Sequence, residues 1–446
     1  MKEIFPTVAP FDKLLDKRLC ISDLHGEYRP NTYCIEEHIP EGVLLYNNMT
    51  KAMVLLSETE MDGAVKGIDP LPELVGRGFF VSRDNDDKLM CKQMRDIART
   101  LKPQPRHITG YTIFTTTDCN ARCFYCFEKG TGKIRMSPDT ARKAAEFIAG
   151  HCGGKEVGLS WFGGEPLYNR EAIDIICSLL KDKGIAYRSK MISNGFLFNR
   201  EAIQSARELW KLEKVQITLD GTRDIYNKVK AYIYKNIDAF SVVIQNIHDL
   251  LDNGIRVSIR LNIDAYNAED LIKLSSYLAE EFSKDSKLSI YAHPLFGDTC
   301  HFAVQDSDKR EYIYKKIEQI QSIIAKYAAN KQNILNRLIK TNQCMADDSS
   351  SLTILPSGKL GKCEHYTDKY FVGDLNGNLE IDQKEIEAFK EEYPEMEECN
   401  TCPLFPDCIR LVRCNGNKVC YQENREDRLR QLRSRMRAAF YKANNC

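Results

Sequence analysis

Three cysteines stand close together in the run Thr117-Asp-Cys-Asn-Ala-Arg-Cys-Phe-Tyr-Cys-Phe127, at positions Cys119, Cys123 and Cys126. A structural zinc site closes around its metal with four protein ligands, and no fourth cysteine follows nearby. A [4Fe–4S] cluster held by three thiolates keeps one iron open for another molecule. The spacing therefore favours an iron–sulfur site with an open iron, and a partial zinc knuckle or three buried thiols are the alternatives.

The composition restricts the class of protein and its partners. The 446 residues include 63 basic and 63 acidic side chains, so the net charge is zero, which argues against a whole-surface partnership with nucleic acid or membrane. No apolar run approaches the ~20 residues of a membrane-spanning helix, and the amino terminus has no apolar signal segment. We expect a cytoplasmic protein in which many of the 17 cysteines serve metal binding or catalysis.

The hydrophobic pattern predicts four segments: a small strand-rich domain at 1–105, an α/β domain at 106–300, a helical connector at 301–340 and a cysteine-rich domain at 341–446. Alternating strands and helices in the second segment predict a parallel sheet, closed into an open, partial (β/α)6 barrel. The strands are predicted at Thr112–Thr116, Gly158–Phe162, Ser189–Ile192, Val215–Leu219, Val257–Asn262 and Leu288–His293, and helices at Pro138–Ala149, Arg170–Lys183 and Glu201–Leu212. Further helices are predicted at Asp308–Lys340 and Arg425–Lys442, and the five arginines from Arg428 to Arg437 favour a solvated face for the second of these.

The first segment has the pattern of a winged-helix-like module. Gly42–Asn47 and Ala52–Leu56 alternate apolar and polar residues around a turn, which predicts a β-hairpin. A helix with Leu71 and Leu74 follows, and then a short strand at Gly78–Val81. We expect this module either to bind an extended peptide by strand addition or to be a plain structural extension.

Polar residues follow the barrel strands at the edge where active sites of such barrels lie. Two glycines at Gly163 and Gly164 allow close backbone approach to a ligand, although the motif alone is also an ordinary strand-to-helix turn. Arg260 could equally form a salt bridge at the barrel rim, and Asp220 could cap a helix. The candidate site residues at these strand ends are Gly163, Gly164, Glu165, Pro166, Ser193, Asn194, Gln216, Thr218, Asp220 and Arg260.

A second group of cysteines lies in the last segment, at Cys344, Cys363, Cys399, Cys402, Cys408, Cys414 and Cys420. Iron–sulfur clusters can bridge thiolates held in loops and replace the apolar core of a small domain. A zinc ribbon requires closely paired cysteines, which the gap between Cys363 and Cys399 fits poorly, and a redox pair at Cys399 and Cys402 lacks its βαβ context.

The Cys119–Cys126 spacing, with Tyr125 before the third cysteine, resembles the radical SAM superfamily. The resemblance implies that S-adenosylmethionine (SAM) chelates the open iron and that one electron cleaves it to a 5′-deoxyadenosyl radical. It also implies that the Gly163–Pro166 element contacts the SAM amino group, that Ser193 and Asn194 contact its ribose, and that Arg260 meets its carboxylate. A guanidinium matches a carboxylate bidentately. A non-enzymatic electron carrier would not need these elements.

The C-terminal cysteines resemble those of the SPASM domain, an extension that carries auxiliary iron–sulfur clusters. The resemblance implies an outer cluster and an inner one, and hence three [4Fe–4S] clusters in all. The five residues between Cys408 and Cys414 depart from the usual three, which weakens the assignment of Cys414. The implied ligands are Cys399, Cys402, Cys408 and Cys420 for the outer cluster, and Cys344, Cys363 and Cys414 for the inner cluster.

The N-terminal module resembles the recognition elements of enzymes that modify ribosomally made peptides. The expected function is therefore a radical SAM/SPASM peptide maturase that forms a thioether from a cysteine of a precursor peptide, with a reduced flavodoxin or ferredoxin as the electron donor. The alternative is an anaerobic sulfatase-maturating enzyme that generates formylglycine. With three protein ligands, the inner cluster is expected to have an open iron that a substrate cysteine could bind.

Overall fold

The computed structural model describes residues 1–8, 12, 24–68, 70–102, 105–126, 128–130, 132–283, 285–295, 307–327, 335, 337–377, 381–414 and 422–444. The chain divides into two compact units, the first formed by 1–104, 333–344 and 389–446, and the second by 105–332 and 345–388. In the described part of the chain, no helix combines the length and the apolar character needed to cross a membrane. The domain boundaries predicted above stay a prediction.

The strands are β1 (Lys2–Phe5), β2 (Tyr28–Pro30), β3 (Cys34–Ile39), β4 (Gly42–Asn47), β5 (Met53–Leu56), β6 (Phe80–Ser82), β7 (Gly110–Thr116), β8 (Val157–Gly163), β9 (Tyr187–Ser193), β10 (Leu212–Leu219), β11 (Arg256–Ile263), β12 (Leu288–Pro294), β13 (Ser351–Ile354), β14 (Lys359–Gly361) and β15 (Gly373–Asp374). The helices are α1 (Glu58–Val65), α2 (Leu71–Val75), α3 (Asp87–Leu101), α4 (Pro138–His151), α5 (Arg170–Asp182), α6 (Arg200–Glu208), α7 (Arg223–Lys230), α8 (Ala239–Asp252), α9 (Ala268–Glu281), α10 (Ser307–Tyr327), α11 (Gln383–Ala388) and α12 (Gln422–Ala443).

The first unit is built on an antiparallel sheet in the order β1-β5-β4-β3. The predicted hairpin is present as β4 and β5, and Leu45, Val54 and Leu56 pack with α1 and α2 on one face. On the other face, alternating residues of the same strands pack against α12 through the buried Met436 and Phe440. The sheet therefore buries both faces, one under each layer of helix.

The second unit contains the predicted barrel. Strands β7 to β12 are adjacent in chain order and all parallel, with helices between them, and β13, β14 and β15 continue the sheet beyond β7. The six predicted strands and the fold class are confirmed. The predicted helix Glu201–Leu212 is too long, because α6 ends at Glu208 and Lys211 adopts a left-handed φ of 49° before β10 begins.

The two faces of the barrel sheet differ in polarity. Val215, Ile217, Val257 and Ile259 belong to the large apolar core that the helices share. Because side chains alternate along a strand, the residues between them point to the opposite, inner face. Cross-strand register places polar partners side by side there, in the pairs Gln216–Ser258, Thr218–Arg260, Arg260–Tyr291 and Asn262–His293. A polar inner face is suited to hold a polar ligand rather than to form a core.

The predicted connector helix at Asp308–Lys340 is present in part. Helix α10 covers Ser307–Tyr327, and the following residues 328–334 and 336 lie outside the described residues. The predicted terminal helix, Arg425–Lys442, is present as α12.

Candidate active site at the carboxyl ends of the barrel strands

The loop that carries the first three cysteines leaves the carboxyl end of β7. Its entry is fixed by Thr117, whose hydroxyl donates to the Gly132 carbonyl at 2.6 Å and accepts from the Ile134 amide at 2.8 Å. Cys119, Cys123 and Cys126 are half-buried free thiols, and the Ala121 amide lies 3.3 Å from the Cys119 sulfur. The loop thus presents three thiols from one short, anchored segment.

The two-glycine turn after β8 contacts this loop directly. The amides of Gly164 and Glu165 donate to the carbonyls of Thr116 and Asp118, each at 3.0 Å. Gly163 has a φ of 121°, and a Cβ there would lie 2.1 Å from the Thr116 oxygen. Only glycine allows the two segments to approach so closely.

Glu165 joins this turn to the end of β9. Its carboxylate is fully buried and accepts from the Ser193 hydroxyl at 2.9 Å, the Asn194 amide at 2.8 Å and the Leu167 amide at 3.2 Å. Burial, opposed by these hydrogen bonds, raises the pKa of Glu165 to about 7. Pro166, also buried, begins the short 3-10 helix Pro166–Asn169 that follows the turn.

Asn194 connects the β9 end to the cysteine loop. Its side-chain amide donates to the Asn120 side-chain oxygen at 2.6 Å and lies 3.7 Å from the Cys119 sulfur. Asn120 was not among the predicted site residues, although it lies next to Cys119 in the sequence. Its amide nitrogen is buried without a hydrogen-bond partner among the described residues.

Tyr125 and Asp220 contact Lys230, a residue that no sequence motif singles out. The Tyr125 hydroxyl donates to both Asp220 oxygens at 2.8 and 2.9 Å, and the Lys230 ammonium lies 2.9 Å from Asp220 and 3.1 Å from the Tyr125 hydroxyl. Asp220 is not a helix cap, since the N-cap residue of α7 is Thr222. Although burial acts in the opposite direction, the Asp220 carboxylate holds the pKa of Lys230 well above its usual range.

The remaining predicted residues line the inner face of the barrel. Gln216 accepts a hydrogen bond from the Tyr291 hydroxyl at 2.8 Å, and Thr218 lies half-buried beside Arg260 in the register. The Arg260 guanidinium lies 3.0 Å from the His293 ring. Arg260 Nε and the Asn262 side-chain oxygen are buried without a hydrogen-bond partner among the described residues, as expected of groups that await a polar ligand.

The C-terminal cysteines are distributed between the two units. Cys399, Cys402, Cys408 and Cys414 are half-buried residues of the first unit, which also contains the exposed Cys344. Cys363 follows β14 in the second unit. Cys420 lies outside the described residues. The two predicted ligand sets therefore stay a prediction.

The first site suits an iron–sulfur cluster by the chemistry of its donors. Its three thiols are not in disulfides, and polar N–H groups near the Cys119 sulfur are of the kind that tune such clusters. Burial, and then the charge of Glu165, raises the pKa of Cys119 to about 12, and a bound metal would favour the thiolate. The fit is one of donor chemistry, because no three His, Cys, Asp or Glu side chains in the described ranges are already arranged to hold a metal ion.

Comparison with known proteins identifies the class of this domain. Residues 113–278 match the family model described as the Radical SAM superfamily. The barrel is therefore a radical SAM domain, and the class predicted from the cysteine loop is confirmed.

Individual relatives share part of the chain. Fe-coproporphyrin III synthase of Methanosarcina barkeri is 25% identical over 169 residues, which are 37% of this chain and 40% of that protein. A GTP 3′,8-cyclase of Clostridium perfringens is 23% identical over 291 residues, which are 58% of this chain and 82% of that protein. The chain thus spans less than half the length of the first of these relatives.

Solved structures show the same fold. Native anSMEcpe with bound AdoMet and Cp18Cys peptide superposes with a TM-score of 0.57 at 16% identity, covering 75% of this chain and 99% of that one. Native anSMEcpe with bound AdoMet gives a TM-score of 0.58 at 15% identity, with the same shares of the two chains covered.

Proposed function

We propose that this protein is a radical SAM enzyme that modifies a ribosomally made precursor peptide, and that it forms a thioether from a cysteine of that peptide. The observation that supports the proposal best is the joining of three strand ends. The cysteine loop, the Gly163–Gly164 turn and Asn194 form one hydrogen-bonded network beside a polar inner face. A protein that only carried electrons would have no use for such a network.

When bound at Cys119, Cys123 and Cys126, a [4Fe–4S] cluster with SAM would supply one-electron cleavage to a carbon radical. The chain's own part is to bind and orient. The partly exposed backbone of Gly163 and Gly164 would contact the ammonium group of SAM, whereas Glu165 is buried and accepts from the Leu167 amide, which holds the turn in place. Arg260 and Asn262 offer unused polar atoms to the carboxylate and hydroxyl groups of SAM.

A peptide substrate is supported by the first unit and by the shared fold. The β4–β5 hairpin belongs to an antiparallel sheet whose outer strands, β1 and β3, each pair with one neighbour among the residues that the structure describes. An extended peptide can add to such an edge through main-chain hydrogen bonds. A protein with the same fold, native anSMEcpe, was solved with a bound Cp18Cys peptide, which supports a peptide as the substrate class.

Thioether formation rests on the count of C-terminal cysteines. Four of the seven are assigned to an outer cluster, which leaves three for an inner one and an iron open to a substrate thiolate. Coordination would hold that sulfur as thiolate near the reacting carbon, which converts an encounter into an oriented step. Serine in place of the precursor's cysteines should stop crosslinking and leave peptide binding intact.

The second candidate, formylglycine formation in a sulfatase, has the same barrel and auxiliary clusters. Four protein ligands on both auxiliary clusters, seen by spectroscopy or in a structure of the loaded protein, would favour it. A peptide product that is crosslinked and has no free thiol would favour the thioether-forming function.

The test of the radical SAM site is the variant C119A/C123A/C126A. After anaerobic reconstitution it should contain one [4Fe–4S] cluster fewer than the wild-type protein and should cleave no SAM, because no thiolate remains for the first cluster. Cys152→Ala, which removes a fully buried thiol of the apolar core, is the control and should keep the iron content. SAM cleavage by the triple variant would contradict the central assignment.

A further inference from the structure

The strand-rich module at the amino terminus also packs against the loop that carries Cys399 and Cys402. Both belong to the first unit. The Phe405 ring stacks on Tyr33 with centroids 6.1 Å apart, and Tyr33, Met49 and Phe405 share an apolar cluster against which Cys399 and Cys402 pack. The loop thus has a wall formed by the β4–β5 hairpin and its neighbours.

An ion pair between a buried lysine and a partly exposed aspartate fixes the hairpin turn to the end of this loop. Lys51 is 1% exposed, and its ammonium lies 2.7 Å from both oxygens of Asp407, the residue before Cys408. The same ammonium donates to the Asn48 side chain at 2.9 Å, and Asn48 donates to the Pro403 carbonyl at 3.0 Å. A buried lysine is found almost only where it is paired, so this position is used for its charge.

Two further observations indicate that this contact fixes the position of the loop. Lys51 has a φ of 60°, a left-handed conformation that costs free energy in a residue other than glycine and persists only where the surroundings enforce it. The Arg95 guanidinium, 7% exposed, donates to the carbonyls of Phe405 at 2.6 Å and Pro406 at 3.1 Å and lies over the Phe405 ring. Both cations therefore bind the backbone or side chains immediately before Cys408.

We infer that Lys51 and Arg95 are positioning residues that hold the Cys399–Cys408 loop in the form that receives the outer auxiliary cluster. The inference rests on the proposed function, because that function assigns Cys399, Cys402 and Cys408 to this cluster. The N-terminal module then has a second role besides peptide recognition, since the Cys399–Cys408 loop packs against it and is ordered by it.

The experiment uses the full chain in the C119A/C123A/C126A background, so that the first cluster does not contribute iron. Lys51→Met removes the ammonium, and Lys51→Gly removes it while relieving the left-handed backbone. Lys66→Met, at an exposed position of the same module, is the matched control. The readouts are the rate of iodoacetamide alkylation of each cysteine in the iron-free protein, measured by mass spectrometry, and the iron content after anaerobic reconstitution.

Both Lys51 variants should alkylate at Cys399 and Cys402 about tenfold faster or more, because the loop opens more often when its ion pair is broken. Cys34 on β3 should keep its rate, and iron should fall by about one [4Fe–4S] cluster. Unchanged alkylation and iron in both variants would overturn the inference. If Lys51→Met also speeds the alkylation of Cys34, the inference is tested on the variant K51M/D407N, which has no charge at either position of the pair. Unchanged alkylation of Cys399 and Cys402 and unchanged iron content in this variant would overturn the inference.

The two proposals fail in different ways. If the background protein with Lys51 intact takes up no iron, the assignment of auxiliary clusters is wrong, whereas the alkylation rates still test the positioning role.

Discussion

At the scale of single residues, one lysine–aspartate pair lies where charge is expensive to bury. Lys230 and Asp220 are each less than 5% exposed, and they meet beside Tyr125, between two of the predicted iron ligands. A buried pair contributes little net stability compared with apolar residues of similar size, but breaking it leaves one charge without a partner. Such a pair is therefore better explained by the geometry that it fixes than by stability.

The first prediction concerns this pair. Lys230→Met should lower the free energy of unfolding by about 3–5 kcal/mol, because Asp220 is left charged and buried. The double variant K230M/D220N should recover most of this loss, since neither partner is then charged. Urea unfolding of the iron-free protein, followed by circular dichroism, measures both. A double variant as unstable as the single one would show that the pair does not act through charge.

The second prediction concerns Glu165 and pH. Because burial raises the pKa of this group from 4.5 to about 7, the folded protein holds the proton more tightly than the unfolded chain. The stabilisation is complete below pH 4.5 and is lost as the pH rises to about 7. Between pH 4.5 and 8, wild-type protein should lose about 3 kcal/mol of unfolding free energy relative to Glu165→Gln.

The measurement is the slope of the unfolding free energy against pH in each protein. The slopes are compared rather than the free energies, because Glu165→Gln also changes hydrogen bonds by an amount that does not vary with pH. Glu171→Gln, at an exposed position of α5, is the control and should follow the wild-type slope. Parallel curves for wild-type and Glu165→Gln protein would contradict the raised pKa.

At the scale of elements, the site depends on how closely two strand ends approach. A Cβ added at Gly164 would lie 2.3 Å from the carbonyl oxygen of Asp118, and a Cβ added at Gly163 would lie 2.1 Å from the carbonyl oxygen of Thr116. In both cases the clashing atom is backbone at the start of the cysteine loop, so neither contact can be relieved by turning a side chain.

The third prediction follows from these distances. Gly163→Ala and Gly164→Ala should push the cysteine loop away from β8 and abolish SAM cleavage, while most of the apolar core stays intact. Gly158→Ala is the matched control in the same strand, because the nearest atom to its Cβ would be 3.9 Å away. Cleavage assays and the iron content of the three variants decide the matter. Equal activity in Gly163→Ala and Gly158→Ala would rule out the close approach as a requirement.

The sequence predicted the barrel well because each of its strands has an apolar run followed by a polar terminus, which is a local pattern. Lys230 could not be predicted in this way. It is the last residue of α7, and its ammonium lies against Asp220 at the end of β10 and against Tyr125 in the cysteine loop. A lysine at a helix end is ordinarily exposed, and the contacts that bury this one come from segments that are distant in the sequence.

At the scale of the whole molecule, the first unit is assembled from distant parts of the chain, and the sequence did not indicate this. The five arginines between Arg428 and Arg437 favoured a solvated terminal helix. In the structure Arg437 pairs with Glu37, while the apolar residues between and after the arginines cover the sheet. The basic residues outnumber a short apolar stripe, in which Met436, Ala439 and Phe440 are the buried residues among those described.

The fourth prediction tests whether the two ends of the chain stabilise one unit. Met436 is fully buried against Leu44, Tyr46 and Met53, so Met436→Ala should cost about 2–5 kcal/mol through lost burial and the cavity left behind. Ile35 packs under α12, whereas Cys34 packs on the opposite face of the same sheet, so a loss of stability of the whole sheet should appear as faster alkylation of Cys34. Arg428→Ala, an exposed position on the same helix, should leave Cys34 unchanged. If the two variants alkylate equally, α12 does not stabilise the N-terminal sheet, and residues 1–104 would then be expected to fold without the carboxyl end of the chain.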